Sequence, residues 1–319
     1  MATSPSHPSR VRDAQHHIPH DRSTTMTDAT LPLDNLEPIG LNELEAGAAL
    51  LTRKDRKYLV PLAVAEQVIS HDGLRVLEID GRRSFHYESV YFDTPERVSY
   101  LAAAYRRRRR FKVRTRSYLD SGRCSLEVKT RERRGLTEKH RLTYDITGRD
   151  RLTGEALTFI NGFQTVAPVS RELQPVLTTR YGRTTLLDTA SMSRITIDTD
   201  LQCVAADGSS LSLPDMAIVE TKTSGRPCVI DRLLWSMHER PTKISKYCTG
   251  LAALTPGLPA NKWNRVLRTH FGWTPEPARV NPGCRDPDPA GAATVSPVDR
   301  RVAHRPRSVW PRLREGGGS

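Results

Sequence analysis

Four basic residues, Arg110, Lys112, Arg114 and Arg116, alternate with Phe111, Val113 and Thr115 in the run RRFKVRTRSY, residues 109 to 118. A period of two sorts such a run onto opposite faces of a β-strand, one cationic and the other mostly apolar. Guanidinium forks and ammonium groups held in a row suit the binding of an oxyanion whose charge is spread over several oxygens. The next runs share the design. RCSLEVKTR places Glu127 and Lys129 opposite Cys124, Leu126 and Val128, and KHRLTYDI places Lys139, Arg141, Thr143 and Asp145 opposite His140, Leu142, Tyr144 and Ile146. Farther along, Arg194, Thr196 and Asp198 of SRITIDTDL oppose Ile195 and Ile197, and in MAIVETKT Glu220 and Lys222 share a parity with Met216 and Ile218.

On one strand, such alternation is the ordinary mark of an antiparallel sheet with one face in water. Over five strands it gathers enough like charge to repel itself unless an anion sits against it, and closing the sheet turns that repulsion into a site. The expected architecture is α+β: a closed antiparallel barrel with a charged interior and helices packed outside. Residues 61 to 70, 95 to 105, 149 to 162 and 230 to 239 carry apolar side chains at helical spacing and are the expected outer layer, with Trp235 and Trp263 as packing residues.

The charge distribution agrees with this placement. The 319 residues hold 49 Lys and Arg against 36 Asp and Glu, a net +13. Residues 1 to 48 carry a net −4, residues 49 to 272 a net +14 and residues 273 to 319 a net +3, and residues 106 to 149 alone hold 16 basic against 5 acidic side chains. An excess so placed predicts an anionic partner for the middle of the chain. The flanks read as a disordered leader, 1 to 48, and a disordered, basic, Pro-rich tail, 273 to 319, around one domain at 49 to 272. In the leader, His16, His17 and His20 read as solvated tail residues, and Met26 is an alternative start.

Five widely spaced cysteines without a CxxC pair support neither a disulfide framework nor a zinc site, so they read as free thiols of a cytoplasmic protein. There is no apolar run long enough to span a membrane and no secretory leader pattern. A G-x-x-x-x-G-K-[ST] loop is absent, so side chains rather than a backbone cradle must hold any phosphate.

Eight segments in order carry a family resemblance: RKDRKYLV (53 to 60), YFDTP (91 to 95), KVRTR (112 to 116), EVKTR (127 to 131), RYGR (180 to 183), SRITIDTDL (193 to 201), IVETKT (218 to 223) and KISKY (243 to 247). Together they resemble the VTC domain, the polyphosphate polymerase domain related to CYTH proteins and triphosphate tunnel metalloenzymes. The resemblance implies an eight-stranded antiparallel tunnel that binds triphosphate or polyphosphate with a divalent metal, Mn2+ or Mg2+, and a phosphotransferase that builds polyphosphate from the terminal phosphate of ATP. It assigns phosphate binding to Lys57, Arg114, Arg116, Lys129, Tyr181, Arg183, Arg194 and Lys222, a closer role in the reaction to Lys243 and Lys246, and metal binding to Glu220 with Glu127 as a second acidic ligand.

One departure matters. CYTH relatives open with an E-x-E-x-K strand, whereas Arg53, Lys54, Asp55, Arg56 and Lys57 stand here. Fewer carboxylates weaken the two-metal arrangement that hydrolysis by water prefers. A tunnel triphosphatase and a non-catalytic polyphosphate- or polyanion-binding module stay open as alternatives. No specific nucleic-acid partner is expected, and a mouth-lining or merely exposed role of Arg106 to Arg109 is preferred to a tunnel contact. The family's eukaryotic polymerases carry an SPX domain and membrane segments that this sequence does not show, so the resemblance implies a chain, of bacterial type, acting alone or with a separately encoded membrane partner.

Overall fold

Residues 31–47, 54–131 and 137–275 are described by the computed structural model, all within the unit Met1–Glu276, and the second compact unit, Pro277–Ser319, lies outside them. So do Met26, the leader histidines and Arg53. The strands are β1 (Glu37–Ile39), β2 (Lys54–Pro61), β3 (Leu74–Leu77), β4 (Ser84–Asp93), β5 (Arg110–Tyr118), β6 (Arg123–Arg131), β7 (Thr137–Tyr144), β8 (Gln174–Asp188), β9 (Ser193–Ala205), β10 (Ser210–Leu213) and β11 (Met216–Thr223). The helices are α1 (Leu41–Gly47), α2 (Leu62–Ile69), α3 (Val98–Ala104), α4 (Gly154–Asn161), α5 (Val229–Ser236), α6 (Lys246–Leu254) and α7 (Asn264–His270). None is long and apolar enough to cross a membrane.

The α+β class and the large antiparallel sheet agree with the sequence reading, but the closed eight-stranded barrel does not. Eleven strands form one sheet whose main path runs β2-β11-β9-β8-β4-β5-β6-β7, with β1, β3 and β10 attached to its flank. Among the described residues the two ends of that path, β2 and β7, share no ladder. The sheet curls far enough for Lys129 of β6 to feel the charges of Lys57 and Asp55 on β2.

Strand parity explains the layers. Phe111 and Val113 of β5 and Leu126 and Val128 of β6 point outward onto Ala156 and Ile160 of α4. On the other side, Val60, Ile195, Ile197, Ala217 and Val219 meet Ala65 and Val68 of α2 and Ile230 and Leu234 of α5. The α5 contact is also polar. Asp231 accepts from Tyr58 Oη and Thr221 Oγ1 at 2.7 Å each and from Arg56 at 3.2 Å, so the Arg56 side chain serves the outer layer.

Two expectations need correction. Residues 31 to 47 are not a disordered leader: β1 pairs in parallel with β3, and Leu31, Leu33, Ile39 and Leu44 are buried. At the other border Trp273 packs on the main core instead of opening a tail. Nor do all helices lie outside. Tyr247, Leu251 and Ala252 of α6 and Val266 and Leu267 of α7 fill one end of the concave face, against Leu59, Ile218, Leu201 and Cys203. The segment is short and interrupted by Thr249 and Gly250, so helical periodicity in it is weak.

The YFDTP motif holds this plug. Asp93 is fully buried and accepts from the backbone N–H of Thr94, Ser99 and Tyr100 at 2.8 to 2.9 Å and from Tyr247 Oη, tying α3 and α6 to the end of β4. A side chain on Gly250 would put its Cβ 2.8 Å from Cys203 Sγ and 3.2 Å from Leu177. Glycine to alanine in a helix normally stabilises by about 1 kcal/mol. Here Gly250→Ala should instead destabilise by about 1–3 kcal/mol, the range for overpacking, and thermal or denaturant unfolding checks the sign.

Candidate functional site

The concave face not covered by α6 and α7 encloses a cavity of about 900 Å³ lined by fourteen Lys and Arg side chains and four Asp and Glu. Cross-strand register arranges them in rows. One row runs Arg114, Glu127, Arg141 across β5, β6 and β7, and the next runs Lys112, Lys129, Lys139. On the facing strands Lys57 stands opposite Glu220, and Asp55 opposite Lys222, which stands opposite Arg194. Arg183 of β8 stands opposite Asp198 of β9.

Three carboxylates keep these cations in place. Glu127 accepts from Arg114 Nε and Nη2 at 2.7 and 2.5 Å through Oε2, and its Oε1 lies 2.5 Å from Lys139 Nζ and 3.1 Å from Arg141 Nε. Asp198 takes a two-pronged contact from Arg183, 2.6 and 2.8 Å, and also Lys246 Nζ. Glu220 Oε2 is 3.2 Å from Lys57 and 4.0 Å from Lys222. Burial works against charge on all three, and the neighbouring cations outweigh it, holding Glu127 and Asp198 far below the usual carboxylate range and Glu220 down at about 2.

The lysines respond in the opposite sense. Burial, followed for Lys112 by Arg114 and Lys129, depresses Lys112 to about 8, although Nζ donates to Ser245 Oγ at 3.1 Å beside the rings of Tyr91 and Tyr247. Burial lowers Lys139 to about 7 against the pull of Glu127. Burial and Lys57 lower Lys129, and burial lowers Lys222 against the pull of Glu220. A site that depresses its own lysines without a ligand is one that an anion completes.

Aromatic faces add to this. Lys246 Nζ sits 4.2 Å from the centre of the Tyr181 ring, and Arg183 lies over both Tyr181 and Tyr87 at 5.3 Å. Burial resists ionisation of Tyr181, but Arg116, Arg183 and Lys246 outweigh it and lower its pKa. Two buried polar atoms on this wall, Arg116 Nε and Tyr181 Oη, have no hydrogen-bond partner. An orphaned buried donor costs about 1–3 kcal/mol and points to a ligand that supplies an acceptor.

The residues expected from the sequence therefore separate. Lys57, Arg114, Arg116, Lys129, Tyr181, Arg183, Arg194, Lys222, Glu220, Glu127 and Lys246 all line the cavity. Arg194 also reaches Leu44 O of α1 at 3.3 Å. Lys243 does not belong with them: it stands exposed ahead of α6, outside the lining. Glu127 does not suit a metal, because both its oxygens are already engaged by cations. Glu220 suits one better, since its contacts with Lys57 and Lys222, at 3.2 and 4.0 Å, are longer than those that engage Glu127. No group of three Asp, Glu, His or Cys gathers among the described residues, so any divalent cation here would draw most of its ligands from water and phosphate oxygens, as hard cations do. Sequence reasoning passed over Lys112, Lys139, Arg141 and Asp198 as site residues although strand parity had already placed them on the charged face.

A profile of the VTC domain matches residues 52–255, the span that contains every lining strand from β2 to β11. The chain belongs to the VTC domain family. No curated protein matches it. Solved structures similar to this VTC domain chain include a putative adenylyl cyclase from Hippeastrum described with a dominant triphosphatase activity, at 15% identity over 65% of this chain and 99% of that one, with a TM-score of 0.42. Another is a protein from Pyrococcus horikoshii, at 13% identity over 62% of this chain and 94% of that one, with a TM-score of 0.37.

A bound polyanion should restore charge to Lys112 and Lys139, so binding should take up protons and affinity should fall as pH rises through about 7 to 9. Long-chain polyphosphate, whose interior phosphates hold no titratable proton in this window, is the suitable titrant. Calorimetry in two buffers of different ionisation enthalpy reads the uptake directly, and proton release at pH about 8 would contradict it.

Proposed function

We propose that the protein is a metal-dependent phosphotransferase that moves the terminal phosphoryl group of ATP onto the end of a growing polyphosphate chain within this cavity. The observation that carries the reading is a cavity of fourteen cations in which Arg116 Nε and Tyr181 Oη are buried and unpartnered. The chemistry follows from charge. Phosphoryl transfer asks a protein chiefly to align the attacking and leaving oxygens and to neutralise charge on the transferred group.

In this reading Arg114, Arg116 and Arg183 present forks to phosphate oxygens, and Lys57, Lys129, Lys222 and Arg194 supply charge from the facing strands. Lys246, held between Asp198 and the Tyr181 ring, is the ammonium placed to follow a phosphoryl group in transfer. A terminal oxygen of the chain attacks the γ-phosphorus of ATP, the bond to the bridging oxygen breaks, and ADP leaves with that electron pair. Mn2+ or Mg2+ held at Glu220 would supply further neutralisation of phosphate charge. The enclosing walls favour a phosphate chain over water as the attacking group.

Hydrolysis of triphosphate is the competing reaction of this site class. Of the carboxylates that line the cavity or pair with its cations, Glu127 and Asp198 are saturated by cations, which leaves Glu220, Asp55 and Glu45 of α1 as candidates, and no three acids gather among the described residues, which argues against a two-metal hydrolytic centre.

Phosphorus NMR of products from ATP with Mn2+ tests the proposal. Chains longer than the starting triphosphate, formed together with ADP, are expected. Orthophosphate released from tripolyphosphate without chain growth would replace it with the hydrolytic reading, and binding without turnover with the non-catalytic one. Glu220→Gln should lower turnover by about 100-fold or more while polyphosphate affinity holds or rises, because Lys57 and Lys222 lose a counter-charge.

A further inference from the structure

The cations of the cavity are unequally supplied with counter-charge. Along half of it pairing holds: Lys57 meets Glu220, Arg114 meets Glu127, and Arg183 and Lys246 meet Asp198. Where α3 meets β5 the pairing stops. Arg110 stands directly across the ladder from Arg131, an arrangement of like charges that weakens a strand pair. Burial lowers the proton affinity of Lys262 against the pull of Cys248, and Arg110, Lys112 and Arg106 lower it further. Among the described residues no carboxylate pairs with Arg106, Arg107, Arg108, Arg110, Arg131 or Lys262.

The backbone at this corner is also unusual. Helix α3 ends with Arg106 N–H donating to Ala103 O at 3.3 Å and Arg107 N–H to Ala102 O at 2.9 Å, and Arg106 has a φ of 54°. This is the Schellman closure, whose left-handed position favours glycine. An arginine is held there against the local preference, and Arg106 to Arg109 stand exposed. Lys262 Nζ donates to Ala103 O at 3.1 Å, which fixes the lysine against the same helix end.

We propose that this corner, Arg106 to Arg108 together with Arg110, Arg131 and Lys262, is a second anion subsite that takes the phosphates of a polyphosphate chain extending out of the cavity. The assignment rests on the polyphosphate reading of the cavity. Continuity favours this occupant over nucleic acid: Arg110, Arg131 and Lys262 line the cavity while Arg106 to Arg108 continue the same strip outside it, so one chain can pass between them without leaving cationic surface. The corner thereby makes affinity depend on chain length.

The test compares inorganic tripolyphosphate with long-chain polyphosphate on the full chain, over a series of salt concentrations. In the triple variant Arg106→Gln, Arg107→Gln, Arg108→Gln, long-chain affinity should fall roughly tenfold and its salt dependence should become shallower, while tripolyphosphate affinity is unchanged. Arg106→Gly keeps the experiment independent of folding, because it suits the left-handed backbone: its melting temperature should rise while long-chain affinity still falls. Equal loss for both ligands, or no loss for the long chain, would overturn the subsite and leave the cavity reading standing. Failure of the wild-type chain to bind either ligand would overturn the cavity reading and the subsite with it. Displacement of long polyphosphate by single-stranded DNA at equal phosphate concentration would show a nucleic-acid strip instead and also overturn the proposal.

Discussion

Fourteen cationic side chains around one cavity hold together because Glu127, Asp198 and Glu220 lie among them. Two unit charges about 4 Å apart interact by about 4 kcal/mol at the effective dielectric suited to protein sites. A curled sheet with that many like charges on its concave face would open without them. Each carboxylate answers more than one cation, so neutralisation stays partial. The same contacts fix orientation: Arg114 and Arg183 each lay a planar fork against a buried carboxylate, which holds their remaining N–H groups in fixed directions. Stability of the empty protein and readiness for a phosphate chain thus come from one set of ion pairs.

Two further acids do a different task on the other surfaces. Asp93 joins α3 and α6 to β4, and Asp231 joins α5 to β2 and β11 through Arg56, Tyr58 and Thr221. Both are buried with their hydrogen bonds satisfied, the condition under which a charge inside a protein is tolerable. They turn short helices with few residues of their own into fixed walls. The α6 plug depends on this directly, because Tyr247 both fills the core and donates to Asp93.

Alternation in β5, β6, β9 and β11 placed nearly the whole cavity lining in view, since a strand buried on one apolar face leaves its polar parity a single direction to point. Lys112 and Asp198 are visible by that rule, inside KVRTR and SRITIDTDL, although the family resemblance assigns them no role. Other features could not be read at this level. Whether β2 and β7 meet depends on the accumulated curl of eight strands, which no local pattern records. The buried role of Arg56 depends on Asp231, 175 residues away. The structure of residues 31 to 47 rests on parallel pairing of β1 with β3, a non-local contact made by a segment whose composition resembles a linker. Lys243 and Lys246 are three residues apart in one motif, yet the turn into α6 sends one to solvent and the other to Asp198.

Strand β9 changes its allegiance part-way along. Arg194, Thr196 and Asp198 face the charged cavity, but Asp200 takes a φ of 52° where the β8 register slips, and from there Leu201, Cys203 and Ala205 face the plug. One inserted residue thus converts a wet wall into a dry one within a few ångströms, and it does so in the backbone rather than in side-chain choice. The depth to which a charged ligand can enter is therefore a property of the chain's path. Exchanging cations can tune how tightly the occupant is held, whereas changing how many phosphate units fit would require moving the bulge itself.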